Sequence, residues 1–241
     1  GKTTANTVVM IILRIGKERL QVPSRWEEIT LGKAIEISQV AIPAGLEKFL
    51  LDEHYTPTAE EVYKTFPIYY GTIFQLLTGA SDDLMRHTSP TDRTLLWDEY
   101  IGRIAISLWL GTPLFDKGVV KELKGFVHNR HMYTMPEVLT IYGQKVPFAE
   151  LSTMEFAELS DLYVAAMKFR DEGWQHVPYL IAVTVREDGQ PYDEKRALQM
   201  AESFEDLPMS VVWGFFQSWV ATSIGYLEYT ANSIAEEVRK E

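Results

Sequence analysis

Two spacings alternate along this chain, one of period two and one of period three to four. Val8-Val-Met-Ile-Ile-Leu-Arg-Ile15 is β-branched and apolar, Gly16-Lys-Glu18 is turn-like, and Arg19-Leu-Gln-Val22 alternates apolar with polar. Together they predict a β-hairpin, closed by Pro23, which cannot donate to a ladder. The spacing then changes. Thr30 is placed to cap a helix running from Leu31 to about Val40, with Leu31, Ala34, Ile35 and Ile37 as apolar positions and an end near Pro43 and Gly45. Thr58-Ala-Glu-Glu61 reads as a capping box, in which the threonine side chain and the glutamate three residues on satisfy each other's backbone N–H. Ile68 to Leu77 is expected to be a buried helix that stops at Thr78-Gly79, and Ser81-Asp-Asp-Leu84 opens another turn. Beyond Ser89-Pro90, Leu96, Tyr100, Ile104 and Leu108 recur at four-residue steps, predicting a helix over 95–109 that Gly111-Thr-Pro113 ends.

The second half repeats the order of the first. Gly125 to Pro136 corresponds to Ile12 to Pro23, as strand, turn, strand and proline, with the turn centred on Asn129. Glu150 to Leu159 corresponds to Glu28 to Ile37, with Ser152 in the place of Thr30, and Pro178 to Val185 stands where Pro67 to Phe74 stood. Leu207 to Val220 takes the place of Ser89 to Trp109. The common order at a spacing of roughly 110–120 residues favours an internal duplication. Ordinary hairpin and capping chemistry used twice is the alternative. The expected architecture is mainly α with two small β-hairpins, as two similar lobes over 1–115 and 116–241, with a charged helix end from Glu228 to Glu241 that protrudes.

Composition narrows the function classes. The 241 residues are 46% hydrophobic and 24% charged, an ordinary globular balance rather than a disordered one. The net charge of −11 repels nucleic-acid backbone and anionic membrane surface, and no run of Lys and Arg announces a local exception. Cysteine is absent, which removes disulfides, thiolate metal sites and thiol nucleophiles together. No secretory leader is expected, because the apolar run from Val8 to Leu13 is short and is followed at once by charge. The apolar windows at 101–115 and 211–224 are interrupted by Arg103 or by Gln217-Ser218, short of the roughly 18–20 residues a membrane span needs.

Candidate chemistry is sparse. Gly1-Lys-Thr-Thr4 imitates the end of a phosphate loop without the preceding strand and glycine-rich turn that would form the cradle. His128 and His131 flank Asn129-Arg130 at a spacing a metal could use, but with a cation between them and no third ligand in evident position; an exposed polar turn explains them as well. His54, His87 and His176 fall singly in loop-like segments. Glu27-Glu28, Glu60-Glu61, Asp82-Asp83 and Glu236-Glu237 are adjacent pairs, about 100° apart on a helix, and cannot form a shared acid–base dyad. No catalytic, cofactor or metal residue is therefore assigned. An unrelated helical enzyme using carboxylates such as Asp82, Glu99 or Glu155 is the competing class. In the cluster Trp213, Phe215, Phe216 and Trp219, one helical face with Trp213, Phe216 and Val220 reads as core, whereas Phe215 and Trp219 would widen the apolar surface toward a partner.

Several motifs carry a family resemblance. A short hairpin precedes Val22-Pro-Ser-Arg-Trp-Glu-Glu-Ile-Thr-Leu31; Phe74-Gln-Leu-Leu-Thr-Gly79 follows, then Tyr179-Leu-Ile-Ala182, Gly189-Gln-Pro-Tyr-Asp193 and Trp213-Gly-Phe-Phe216. In this order they resemble tail-assembly-chaperone-like and related virion structural proteins of tailed bacteriophages, in particular the crAss-like group. The resemblance implies a non-enzymatic part in building the head-to-tail connector or the tail. It would be a ring of copies in contact with other portal or tail proteins, retained in a virion assembled in the host cytoplasm. The alternative within the same family is an assembly chaperone that holds the tape-measure protein and leaves. Trp26, Phe215, Trp219 and Tyr226 are the side chains expected at protein contacts, with no cofactor and no membrane. An acidic ring would also let DNA pass nearby without specific binding.

Overall fold

The computed structural model describes residues 11–15, 18–23, 26–52, 54–87, 138–141, 144–186 and 190–220. They form a mainly helical protein with two antiparallel hairpins. The chain divides into two compact units, the first made of 1–29, 36–111 and 115–128, the second of 30–35, 112–114 and 129–241.

In the first unit, β1 (Ile11–Ile15) pairs antiparallel with β2 (Glu18–Val22), from Ile11 opposite Val22 to Ile15 opposite Glu18. Pro23 follows the second strand directly, as its missing N–H requires. Leu20 is buried, on the strand that lies against the long helix of this unit. A 3-10 turn, Trp26–Glu28, leads toward α1 (Leu31–Ser38), whose residues 31–35 belong to the second unit and which ends two residues before the predicted Val40. Thr30 caps α1 as expected, its Oγ1 accepting the Lys33 N–H at 3.2 Å. The helix α2 (Ala44–Leu51) starts after Pro43 and buries Leu46.

The capping box forms as its spacing predicts. The Thr58 N–H donates to Glu61 Oε2 at 2.7 Å, and the Glu61 N–H returns to Thr58 Oγ1 at 3.2 Å. What the spacing did not announce is the π-helical stretch Glu61–Thr65, closed by the Phe66 N–H reaching five residues back to the Glu61 carbonyl. Gly45 lies close against this turn, where a Cβ would collide with the Glu61 carboxylate. The helix α3 (Phe66–Thr78) continues with Pro67 in its first turn and buries Phe66, Tyr69, Ile73 and Phe74 at helical spacing. Gly79 stops it at φ 70°, donating to the Gln75 carbonyl at 2.8 Å, and α4 (Asp82–His87) follows.

In the second unit, β3 (Val138–Ile141) pairs antiparallel with β4 (Gln144–Pro147), with Leu139 opposite Val146 and both buried. The second predicted hairpin, around Asn129, lies outside the described residues; the hairpin at 138–147 was not anticipated. Its exit is anchored by a bridge between Phe148 and Val185 and by the Ala149 N–H on the Thr184 carbonyl at 2.7 Å. The longest helix among the described residues, α5 (Phe156–Glu172), has Glu155 as its cap and ends at Gly173, whose φ of 102° is open to glycine at little cost. A 3-10 turn, Trp174–His176, feeds α6 (Val177–Val183), an uninterrupted apolar run buried at every position but Tyr179. The helix α7 (Glu194–Ser203) is capped by Asp193, which accepts from the N–H groups of Lys195 and Arg196. Then come α8 (Met209–Gly214) and a π-helical stretch, Phe215–Val220. Residues 30–35 belong to this unit: Thr30 bridges Pro208, the Leu31 N–H donates to the Leu207 carbonyl at 2.8 Å, and Gly32 comes within reach of Glu205.

Aromatic rings hold this unit together. Trp174 meets Trp213 and Phe169 edge to face at 5.6 Å each, and Phe216 lies 5.3 Å from Phe169. Such pairs add about 0.5–1.5 kcal/mol each beyond the area they bury. The predicted helix over 95–109, the lobe boundary near 111–118 and the terminal helix from Glu228 lie outside the described residues.

Candidate functional site

Two polar groups on the inward side of α5 are the most unusual chemistry among the described residues. Glu158 sits in the first turn of α5 and is wholly buried. Its Oε2 accepts from Arg186 Nη1 at 2.9 Å, while Oε1 has no hydrogen-bond partner. The second arm of the guanidinium, Nη2, reaches the carbonyl and Oγ1 of Thr153 at 3.4 and 3.3 Å. Arg186 follows the bridging residue Val185, and its own N–H donates to the Pro147 carbonyl at 3.3 Å. One arginine thus ties the end of the β3–β4 hairpin, the 3-10 turn Leu151–Thr153 and α5 together. Burial raises the Glu158 carboxyl above its ordinary 4.5, outweighing the Arg186 charge and the Glu155 backbone N–H, which pull it down.

Three residues on, Asp161 Oδ2 accepts from the Tyr192 hydroxyl at 2.7 Å, fixing the loop ahead of α7. Burial first, then this bond and the neighbouring Tyr179 hydroxyl, push the Tyr192 phenol far up. Each carboxylate in the group is engaged by a cation or a phenol, which makes the arrangement a tie between elements. Among the described residues, no three His, Asp or Glu side chains gather as metal ligands, and no helix is long and apolar enough to cross a membrane.

The residues singled out by sequence are scattered. Trp26 is half-buried in its 3-10 turn. Phe215, expected at a protein contact, is instead wholly buried: it stacks on Trp219 at 5.4 Å and lies 6.0 Å from Phe148. The hairpin exit brings Phe148 over the face that the helical wheel leaves open, and Phe215 is core. Trp219 is half-buried, its Nε1–H donating to the Ala149 carbonyl at 3.0 Å. Tyr226, Glu99, His128 and His131 lie outside the described residues. Asp82 accepts from Gln75 Nε2 at 2.8 Å, and Glu155 serves as a helix cap. His87 ends α4 with its ring on the Asp83 carbonyl, His176 pairs with Glu172, and the His54 N–H is held by Asp52.

Among the described residues, the most exposed large apolar side chains are elsewhere. Phe156 is 88% exposed and Tyr163 67% exposed on α5, with Val164 beside them; in the first unit, Tyr63 is 83% and Ile68 63% exposed. Tyr63 and Ile68 are five residues apart across the π stretch, where that interval brings neighbours together. Sequence reasoning passed over both surfaces because each uses ordinary helix residues. The signal was the recurrence of Phe156, Ser160, Tyr163 and Met167 at alternating steps of four and three.

The fold and these surfaces define a mainly helical protein of two units that presents apolar helix faces to solvent. Comparison with family models, with curated proteins and with solved structures finds no significant match.

Proposed function

We propose that this protein is a non-enzymatic, oligomerising structural component of a tailed bacteriophage particle, at the head-to-tail connector or in the tail. The phage context rests on the motif resemblance. The observation that carries the structural role is the set of large apolar side chains left in solvent on both units, Tyr63 and Ile68 in one and Phe156 and Tyr163 in the other. Large exposed apolar surface of this kind marks contact with other protein. The net charge of −11 adds the reason such a ring would not grip DNA threading past it.

The test is light scattering on the purified chain, together with mass spectrometry of intact particles carrying it. Self-association in solution and presence in particles are the expected results. A strict monomer absent from particles would sink the reading, and co-purification with a long helical partner without retention in particles would replace it with the assembly chaperone.

A further inference from the structure

The outer side of α5 differs in kind from an ordinary solvated helix face. At 100° per residue, Phe156, Ser160, Tyr163 and Met167 form a single seam with the alternating spacing of a two-helix contact. Ala157 and Val164 flank it on one side, Leu159 and Ala166 on the other, and all eight positions are exposed or half-exposed. No charge falls on this face from Phe156 to Met167, because the two acidic residues in that stretch are turned away, Glu158 buried against Arg186 and Asp161 bonded to Tyr192; the exposed Arg170 is the next residue along the seam. A helix apolar on both its inner and outer sides belongs inside a larger assembly.

We infer that this face pairs with the same face of a second copy of the chain, the two helices antiparallel about the midpoint between Asp161 and Leu162. Two features select a second copy over a foreign helix. Antiparallel pairing about that point sets Phe156 opposite Met167 and Ser160 opposite Tyr163, a large side chain against a flexible or small one at each level. The area also suffices. Four aromatic rings at roughly 150–250 Å² each, with the aliphatic flanks, bury on the order of 1,000 Å² in total, the lower end for a specific contact. Such a contact is two-fold and closes on itself, so it would join two chains or two rings back to back, leaving ring closure to another surface.

This inference rests on the proposed self-association and adds the face and its geometry. Sedimentation equilibrium is measured on the full chain, on Phe156→Glu and Tyr163→Glu, and on Leu198→Glu, which alters an exposed residue of α7 as a control. Circular dichroism verifies that each variant is folded. The two α5 variants should each weaken self-association about 30-fold or more, and the control should leave it unchanged. Because the chain has no cysteine, single-cysteine variants report only their own contact. Ser160→Cys, roughly 4–5 Å along the axis from its own counterpart, should oxidise to a cross-linked dimer, and Met167→Cys, roughly 17 Å from its counterpart, should not.

A wild-type chain that stays monomeric overturns both this inference and the structural reading. Self-association that survives both α5 charges overturns the inference alone, as does a folded chain whose α5 face binds only a foreign helix. Cross-linking at both 160 and 167 indicates parallel helices and overturns the two-fold arrangement.

Discussion

Glu61 and Glu158 stand at the same place in their helices, three residues after the cap, and meet opposite fates. Glu61 accepts from the Thr58 N–H, the Thr58 hydroxyl and the Tyr55 hydroxyl, and its pKa is lowered, first by the Thr58 backbone bond and then by Tyr55. Glu158 has Arg186 on one oxygen, nothing on the other, and a pKa raised by burial. Position within a helix therefore does not decide what a first-turn carboxylate does. What decides is whether the surrounding elements bring it hydrogen-bond donors or apolar cover.

The largest way to break this contrast is Arg186→Met. It strands a buried carboxylate and should lower unfolding free energy by about 3–5 kcal/mol, read from urea denaturation followed by circular dichroism. Replacing both partners, Glu158→Leu with Arg186→Met, should recover most of that loss, since a buried ion pair is commonly worth little more than a well-fitted apolar pair. A double variant as unstable as Arg186→Met alone would show that the arginine acts chiefly through Thr153. In the first unit the comparable cut, Thr58→Ala, removes one side of the capping box and should cost only about 1 kcal/mol by the same measurement.

The two carboxylates should also leave opposite marks on the dependence of stability on pH. Glu158, with its folded pKa above 4.5, contributes most below that value, and its contribution is lost as pH rises through the raised pKa. Glu61, with its folded pKa below 4.5, contributes above that value and loses its contribution as pH falls through the lowered pKa. Comparing denaturation curves over that range, Glu158→Gln should remove a decline toward neutral pH, and Glu61→Gln should remove a decline toward acid. The same slope in both variants would refute the contrast.

Short-range grammar was legible in the sequence. Thr30, the Thr58–Glu61 box and the Gly79 stop each act within a few residues, and each is where its spacing put it. The mainly helical character and the first hairpin follow from the same local patterns. What was not legible depends on distance along the chain. Glu158 and Arg186 are 28 residues apart, with no pattern linking them, and Phe215 looked outward on a helical wheel until Phe148 arrived from the hairpin exit. The β3–β4 hairpin has strands of four residues each, too short for alternation to stand out. The face of α5 escaped notice because its residues are ordinary for a helix, and the inward turn of Glu158 and Asp161 depends on Arg186 and Tyr192, 28 and 31 residues away.

The π turn at Glu61–Thr65 behaves as a phase adjuster between two fixed constraints. Upstream, the Glu61 carboxylate must lie over the bare backbone of Gly45; downstream, Phe66 and Tyr69 must face inward. An uninterrupted α-helix would satisfy one orientation or the other, and one surplus residue reconciles them. Excising Tyr63 should restore regular winding with Phe66 and Tyr69 still facing inward, whereas excising Ile68, beyond the π turn, should turn the rest of α3 by about 100° relative to its own cap and be tolerated far less well.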